Sequence, residues 1–144
     1  MKNACLAGAA AVLMLAGVTG VDAQPANRPQ IHTDEENGLK TAIDATNQVC
    51  GSNIIAQFNW QGAQEGKLSE YSASSFCDNA MGGIRFMCET DAGKAAVKQK
   101  LKTMICGFGA KRSVTLKDGV LNYEINFDAA GDGEYVFEYL KKNL

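Results

Sequence analysis

Ser113-Val-Thr-Leu-Lys-Asp-Gly-Val-Leu-Asn-Tyr-Glu-Ile-Asn-Phe127 is the stretch on which the fold turns. Asp118-Gly119 is a two-residue connection suited to the positive φ values of a tight hairpin turn, with strand-like sequence on both sides. In the second arm Leu121, Tyr123, Ile125 and Phe127 alternate with Asn122, Glu124 and Asn126. A period of two with one apolar side marks a strand that buries one face and wets the other. The sequence therefore predicts a hairpin over Ser113–Lys117 and Val120–Phe127, against which the rest of the chain must pack.

Upstream, Ile54, Ala56, Phe58 and Trp60 alternate with Gln57, Asn59 and Gln61, which predicts a half-buried strand. The stretch up to Phe108 reads two ways. Val97, Leu101, Met104 and Ile105 suit a helix, whereas Leu101, Thr103 and Ile105 suit a strand. A strand beginning near Lys100 supplies the partner that the hairpin needs. Helices fill the intervals. Thr33-Asp34-Glu35-Glu36 has the form of a capping box, and Leu39, Ala42, Ile43 and Val49 follow at helical spacing up to Gly51. Cys77, Met81, Ile84 and Cys88 share one face of a second helix, from about Ser74 to Cys88. Within it Gly82 and Gly83 each cost about 1 kcal/mol against Ala, so they point either to close approach of another backbone or to a break. Short helices follow from Asp91 to Lys98 and from Gly133 to Asn143, the latter turning Val136, Phe137, Leu140 and Leu144 inward. The order predicts a single small α+β domain: an antiparallel sheet of about four strands, the last three in a meander, with helices packed on one face.

The N-terminal segment stands apart. Lys2 precedes an apolar run from Ala4 to about Val18, shorter than a membrane span, and Val21-Asp22-Ala23 puts small residues where a signal peptidase cuts. Residues 1–23 are expected to be a cleaved signal peptide, 24–32 a flexible leader carrying Pro25 and Pro29, and 33–144 the domain. A short, alanine-rich signal points to a bacterial protein, periplasmic or secreted, with no membrane insertion after cleavage.

Cleavage removes Cys5 and leaves Cys50, Cys77, Cys88 and Cys106, the arithmetic of two disulfides in an exported chain. A metal or redox site fits poorly, because no C-x-x-C occurs and no His lies near them. Cys77 and Cys88 are eleven residues apart on one helix, about 16 Å along its axis, too far to bond each other. Two pairings remain: Cys50–Cys77 with Cys88–Cys106, or Cys50–Cys88 with Cys77–Cys106. The first is preferred, since a short returning helix after Cys88 brings the next strand back toward it.

Chemistry is sparse. The one histidine, His32, falls in the expected leader, and paired cysteines provide no thiolate, which counts against most hydrolase mechanisms. Glu65, Glu70 and Asp78 are the acids from which a glycosidase-like pair would be drawn, without distinctive spacing. Asp128-Ala-Ala-Gly-Asp132-Gly133-Glu134 fails the calcium-loop pattern and reads as a turn and helix cap. No cofactor is expected. Charge is more informative. A net charge of -2 conceals a basic stretch from Lys94 to Lys117 and an acidic one from Asp118 to Glu138. The bland account is neutralisation across the hairpin. The functional account places Lys98, Lys100 and Lys102 on one strand face as a row for an acidic protein or an anionic polymer. Nucleic acid is a poor fit, because no exposed aromatics interleave with these lysines. Trp60, Phe58, Phe127, Phe137 and Tyr139 are assigned to core packing. The sequence thus points to an exported, disulfide-stabilised, non-catalytic binding or interaction module. The alternative is a small secreted hydrolase using a carboxylate pair.

Overall fold

The computed structural model describes residues 28–144, so the expected signal peptide and residues 24–27 of the leader lie outside the described residues. The chain runs α1 (Arg28–Cys50), β1 (Ile55–Phe58), α2 (Glu65–Leu68), α3 (Ala73–Met87), α4 (Asp91–Lys100), β2 (Thr103–Phe108), β3 (Ser113–Lys117), β4 (Val120–Ile125) and α5 (Asp132–Asn143). Local sequence explains most boundaries. Gly51, at φ +61, ends α1 in the left-handed conformation that a side chain resists. Ser72 caps α3 by accepting from the Ser75 amide at 3.3 Å, and Thr90 caps α4 by accepting from Gly93 at 3.0 Å. The hairpin turn is as expected, with Asp118 and Gly119 both at positive φ. Several boundaries differ: β4 ends at Ile125 rather than Phe127, and a short helix, α2, occupies the expected loop. Helix α1 begins five residues before Thr33 and takes in residues 28–32 of the expected leader. The expected strand at Lys100 is the last turn of α4, and β2 starts only at Thr103.

The domain is α+β with two disulfides, as expected, but its sheet is mixed rather than antiparallel. The strand order is β1-β2-β4-β3. β1 pairs with β2 in parallel, β2 pairs with β4 in parallel, and only β3 and β4 are antiparallel. The meander fails because β4, not β3, takes the seat beside β2. Leu121, Tyr123 and Ile125 of β4 are at most 1% exposed. β3 offers only Val114 and Leu116 inward and turns Ser113, Thr115 and Lys117 away, a composition suited to an edge. One sheet face therefore gathers Ala56, Phe58, Met104, Cys106, Leu121, Tyr123, Ile125 and Val114 against the helices. The other carries Ile55, Gln57, Thr103, Asn122 and Glu124 without helical cover.

Beneath the sheet, α3 is the central helix. It is continuous through Gly82 and Gly83, and the reason is a close crossing: a Cβ on Gly83 would collide with the main chain of Gly133 and Phe137 in α5. Helix α1 lies alongside α3. At one end Glu35, buried in α1, accepts from the Ser74 amide at 2.5 Å and from the Ser72 hydroxyl at 3.2 Å. At the other end Cys50 bonds Cys88 with Cα atoms 5.2 Å apart, while Cys77 bonds Cys106 across 6.3 Å and joins α3 to the sheet. This is the second of the two pairings. The preferred one fails because β1 and α2 carry the chain back to the start of α1, so α1 and α3 run in the same direction and their C-terminal ends meet.

Candidate binding groove

The periodicity of α1 sets up a groove. Leu39 and Ile43, one turn apart, are buried toward the sheet, while Glu36, Lys40 and Asp44 follow the same side further out as a rim. Opposite them lies β1, an edge strand. Ile54, Ala56 and Phe58 face the helix, and Trp60 closes one end. Together they enclose a cleft of about 450 Å³, within the size range of ligand sites. The small Ala56 side chain, set between Ile54 and Phe58, leaves the space open.

Aromatic rings fix the Trp60 end. Trp60 lies parallel to His32 at 3.9 Å between centroids and packs on Phe58 at 4.5 Å and Phe108 at 5.7 Å. Its indole Nε1 donates to Glu36 Oε1 at 3.2 Å, tying the strand exit to the α1 rim. At the opposite end the Asn47 side chain behaves like a piece of main chain. Its Nδ2 donates to the Ile54 carbonyl at 2.8 Å, and its Oδ1 accepts from the Ile54 amide at 2.8 Å. Ser52 Oγ donates to the same Oδ1 at 2.8 Å and holds the amide in place.

A second cleft of about 460 Å³ lies among Phe86, Met87, Gly93, Ala96, Phe137 and Lys141. Its walls are mostly helical, with only Glu89 and Thr90 of the α3–α4 connection between them, so it presents no strand edge. Its aromatic pair, Phe86 and Phe137, is covered in part by Lys141, whose ammonium sits 4.8 Å from the Phe137 ring. It has neither the open main chain nor the polar anchor of the α1/β1 groove.

The residues singled out from sequence are scattered. Lys98 and Lys100 end α4 and Lys102 lies in the connection to β2, so the single-faced row does not form. Lys100 Nζ donates to the Leu144 carbonyl, and the Lys102 stem lies against Gly119. Glu65 faces His32 at 3.5 Å and Asp78 holds Arg85 at 2.9 Å, on different elements. His32 belongs to a helix rather than a flexible leader, which removes one ground for setting aside histidine chemistry. The other ground stands: Cys50, Cys77, Cys88 and Cys106 are all disulfide-bonded. Asp132 is buried as the acceptor of the Tyr123 hydroxyl at 2.5 Å and of Arg112 Nη1 at 3.1 Å, a structural network. Among the described residues no cluster of His, Cys, Asp or Glu is placed to hold a metal ion, and no helix is long and apolar enough to cross a membrane.

Trp60 and Phe58 pack against the core, as expected, but both are only half-buried and also line the groove. The signal for the groove was the Ile54-x-Ala56-x-Phe58 alternation with one small member, which gains meaning only once α1 is known to lie across it. No family model matches the chain, and no curated protein or solved structure matches it closely enough to carry an argument.

Proposed function

We propose that this chain is an exported, non-catalytic binding protein whose ligand sits in the groove between α1 and β1. The observation that carries the reading is the combination of an apolar floor, a charged rim and an edge strand in one cleft. Export rests on the expected signal peptide, and two disulfides are compatible with an extracellular or periplasmic setting. The carboxylate-pair alternative is weaker, because Asp78 is occupied by Arg85 and Glu65 faces His32 rather than a second acid.

The test is an NMR screen of small apolar and amide-bearing fragments against the oxidised protein. Hits are expected to shift the Trp60 indole and the Leu39, Ile43 and Ile54 methyl signals, and to be lost in Ala56→Arg, which fills the cleft. Hits that gather instead around Phe86 and Phe137 would remove this reading.

A further inference from the structure

The main chain of β1 says what kind of ligand the groove takes. The Ile55 amide donates to the Lys102 carbonyl at 3.0 Å and the Asn59 amide to the Cys106 carbonyl at 2.8 Å, both toward β2. Backbone groups of a strand alternate sides residue by residue, so Ile55, Gln57 and Asn59 face β2 while Ile54, Ala56 and Phe58 face the groove. Ile54 is satisfied in both directions by the Asn47 carboxamide. Ala56 and Phe58 come next on that edge, and no described strand lies beside them. An unpaired row of N–H and C=O groups is a template for another strand. Asn47 shows the edge already accepting an amide at the first of its three positions.

We propose that the open edge of β1 receives an extended peptide segment as a fifth strand, laid against α1 and paired with the main chain of Ala56 and Phe58. This rests on the groove being the binding site, and it names the ligand class. Backbone pairing gives the affinity, and side chains on alternate residues give the selectivity. One apolar side chain fills the space above Ala56. The rim sets the charge: Glu36 and Asp44 flank a single Lys40, and Lys40 is already paired with Asp44 at 2.6 Å. The remaining negative charge favours a Lys or Arg beside the apolar residue and repels an anionic polymer.

The probe is a capped heptapeptide, Thr-Val-Lys-Val-Thr-Val-Lys, titrated into the full oxidised domain labelled with ¹⁵N. At about ten times its Kd, amide exchange at Ala56 and Phe58 is expected to slow about tenfold, while Ile55 and Gln57, already paired, stay unchanged. Methylating the peptide nitrogens along one edge should abolish binding, and methylating those along the other edge should spare it. Ala56→Pro removes an outward donor without breaking a ladder bond and should weaken binding at least tenfold; the methylated peptides give the same reading should that variant misfold. Shifts of the Trp60 indole without slowed exchange at Ala56 and Phe58 would overturn strand addition and leave groove binding standing. No shift anywhere at about 5 mM peptide, in the millimolar range where even weak complexes form, would also overturn it. So would protection of both amides that grows with protein concentration in the absence of peptide, because the edge would then belong to a second copy. Failure of the fragments to reach the groove would remove both readings together.

Discussion

Gly82 and Gly83 are neighbours in one helix, and alanine at each is expected to act with opposite sign. Replacing a helical glycine by alanine gains about 1 kcal/mol of helix propensity at either site. At Gly82 the new methyl group meets only Arg85 Nη2 at 3.7 Å and Gly133 Cα at 4.0 Å, ordinary contact distances. At Gly83 it would run into the Gly133 carbonyl oxygen, with Phe137 N at 2.7 Å and Val136 Cβ at 2.9 Å. Two of those three obstacles are backbone, so no rotamer change relieves them. Relief means separating α3 from α5, and overpacking of this kind costs about 1–3 kcal/mol. The upper end applies because α5 also carries Asp132 into its buried network with Tyr123. Gly82→Ala should therefore stabilise by about 0.5–1 kcal/mol and Gly83→Ala destabilise by about 2 kcal/mol, net of propensity. For a domain of this size the difference amounts to about 10 °C or more in Tm. Thermal melts and urea titrations of the two oxidised variants, followed by circular dichroism, read it directly. Equal shifts, or Gly83→Ala as the more stable variant, would refute the close crossing of α3 and α5.

A non-reducing digest should yield Cys50–Cys88 and Cys77–Cys106 peptides and no Cys77–Cys88 peptide; loops of 38 and 29 residues imply about 3–4 kcal/mol from each bridge. Burial first, and then the hydrogen bond to Asp132, holds the Tyr123 phenol well above the ordinary tyrosine range. Its protonated form is favoured by folding, so that contribution is complete below about pH 10 and is lost above it, by up to about 1.4 kcal/mol per pH unit. Tyr123→Phe should cost about 1–2 kcal/mol at neutral pH and flatten the alkaline decline, as measured by urea titration across pH. His32→Ala, which the sequence placed outside the core, should lower stability by about 0.5–1.5 kcal/mol because it removes a ring stacked on Trp60, and the same titration at pH 7 checks it. Lys100→Glu with Lys102→Glu should reduce retention on an anionic matrix only as far as the change in net charge requires, since these two lysines share a shallow cleft with Asp118 and no strand row joins them to Lys98; selective loss of a recovered partner would restore the basic-row reading.

Local signals were legible in the sequence wherever one element settles its own structure. The Asp118-Gly119 turn, the four-residue spacing of Cys77 and Met81, and the two-residue alternation of β4 all carry their meaning without reference to distant residues. The misreadings concern relations between elements. Nothing near β2 says that β4 will lie beside it, because that choice compares the burial of Leu121, Tyr123 and Ile125 with that of Val114 and Leu116. The disulfide pairing depends on the direction of α1 relative to α3, which β1 and α2 determine together. Helix or strand around Lys100 was open on periodicity, and α4 prevailed by running on from its Thr90 cap to Leu101. The groove was hidden for the same reason as the pairing: one wall belongs to α1 and the other to β1, and neither pattern mentions the other.

The seating of β4 has a consequence for how the domain is made. The strand with the most buried inward face is the last to be synthesised, and it fits between two strands that precede it. Until residue 125 is present, β2 has an unpaired side and β3 has no partner at all. The sheet therefore waits for β4, and its one long-range pairing, between β1 and β2 at Ile55 and Thr103, is of the kind associated with slow folding. A chain arrested before Val120 would leave the main chain of Thr103, Ile105 and Gly107 unpaired on the side of β2 that β4 covers, so truncated products should aggregate through that edge.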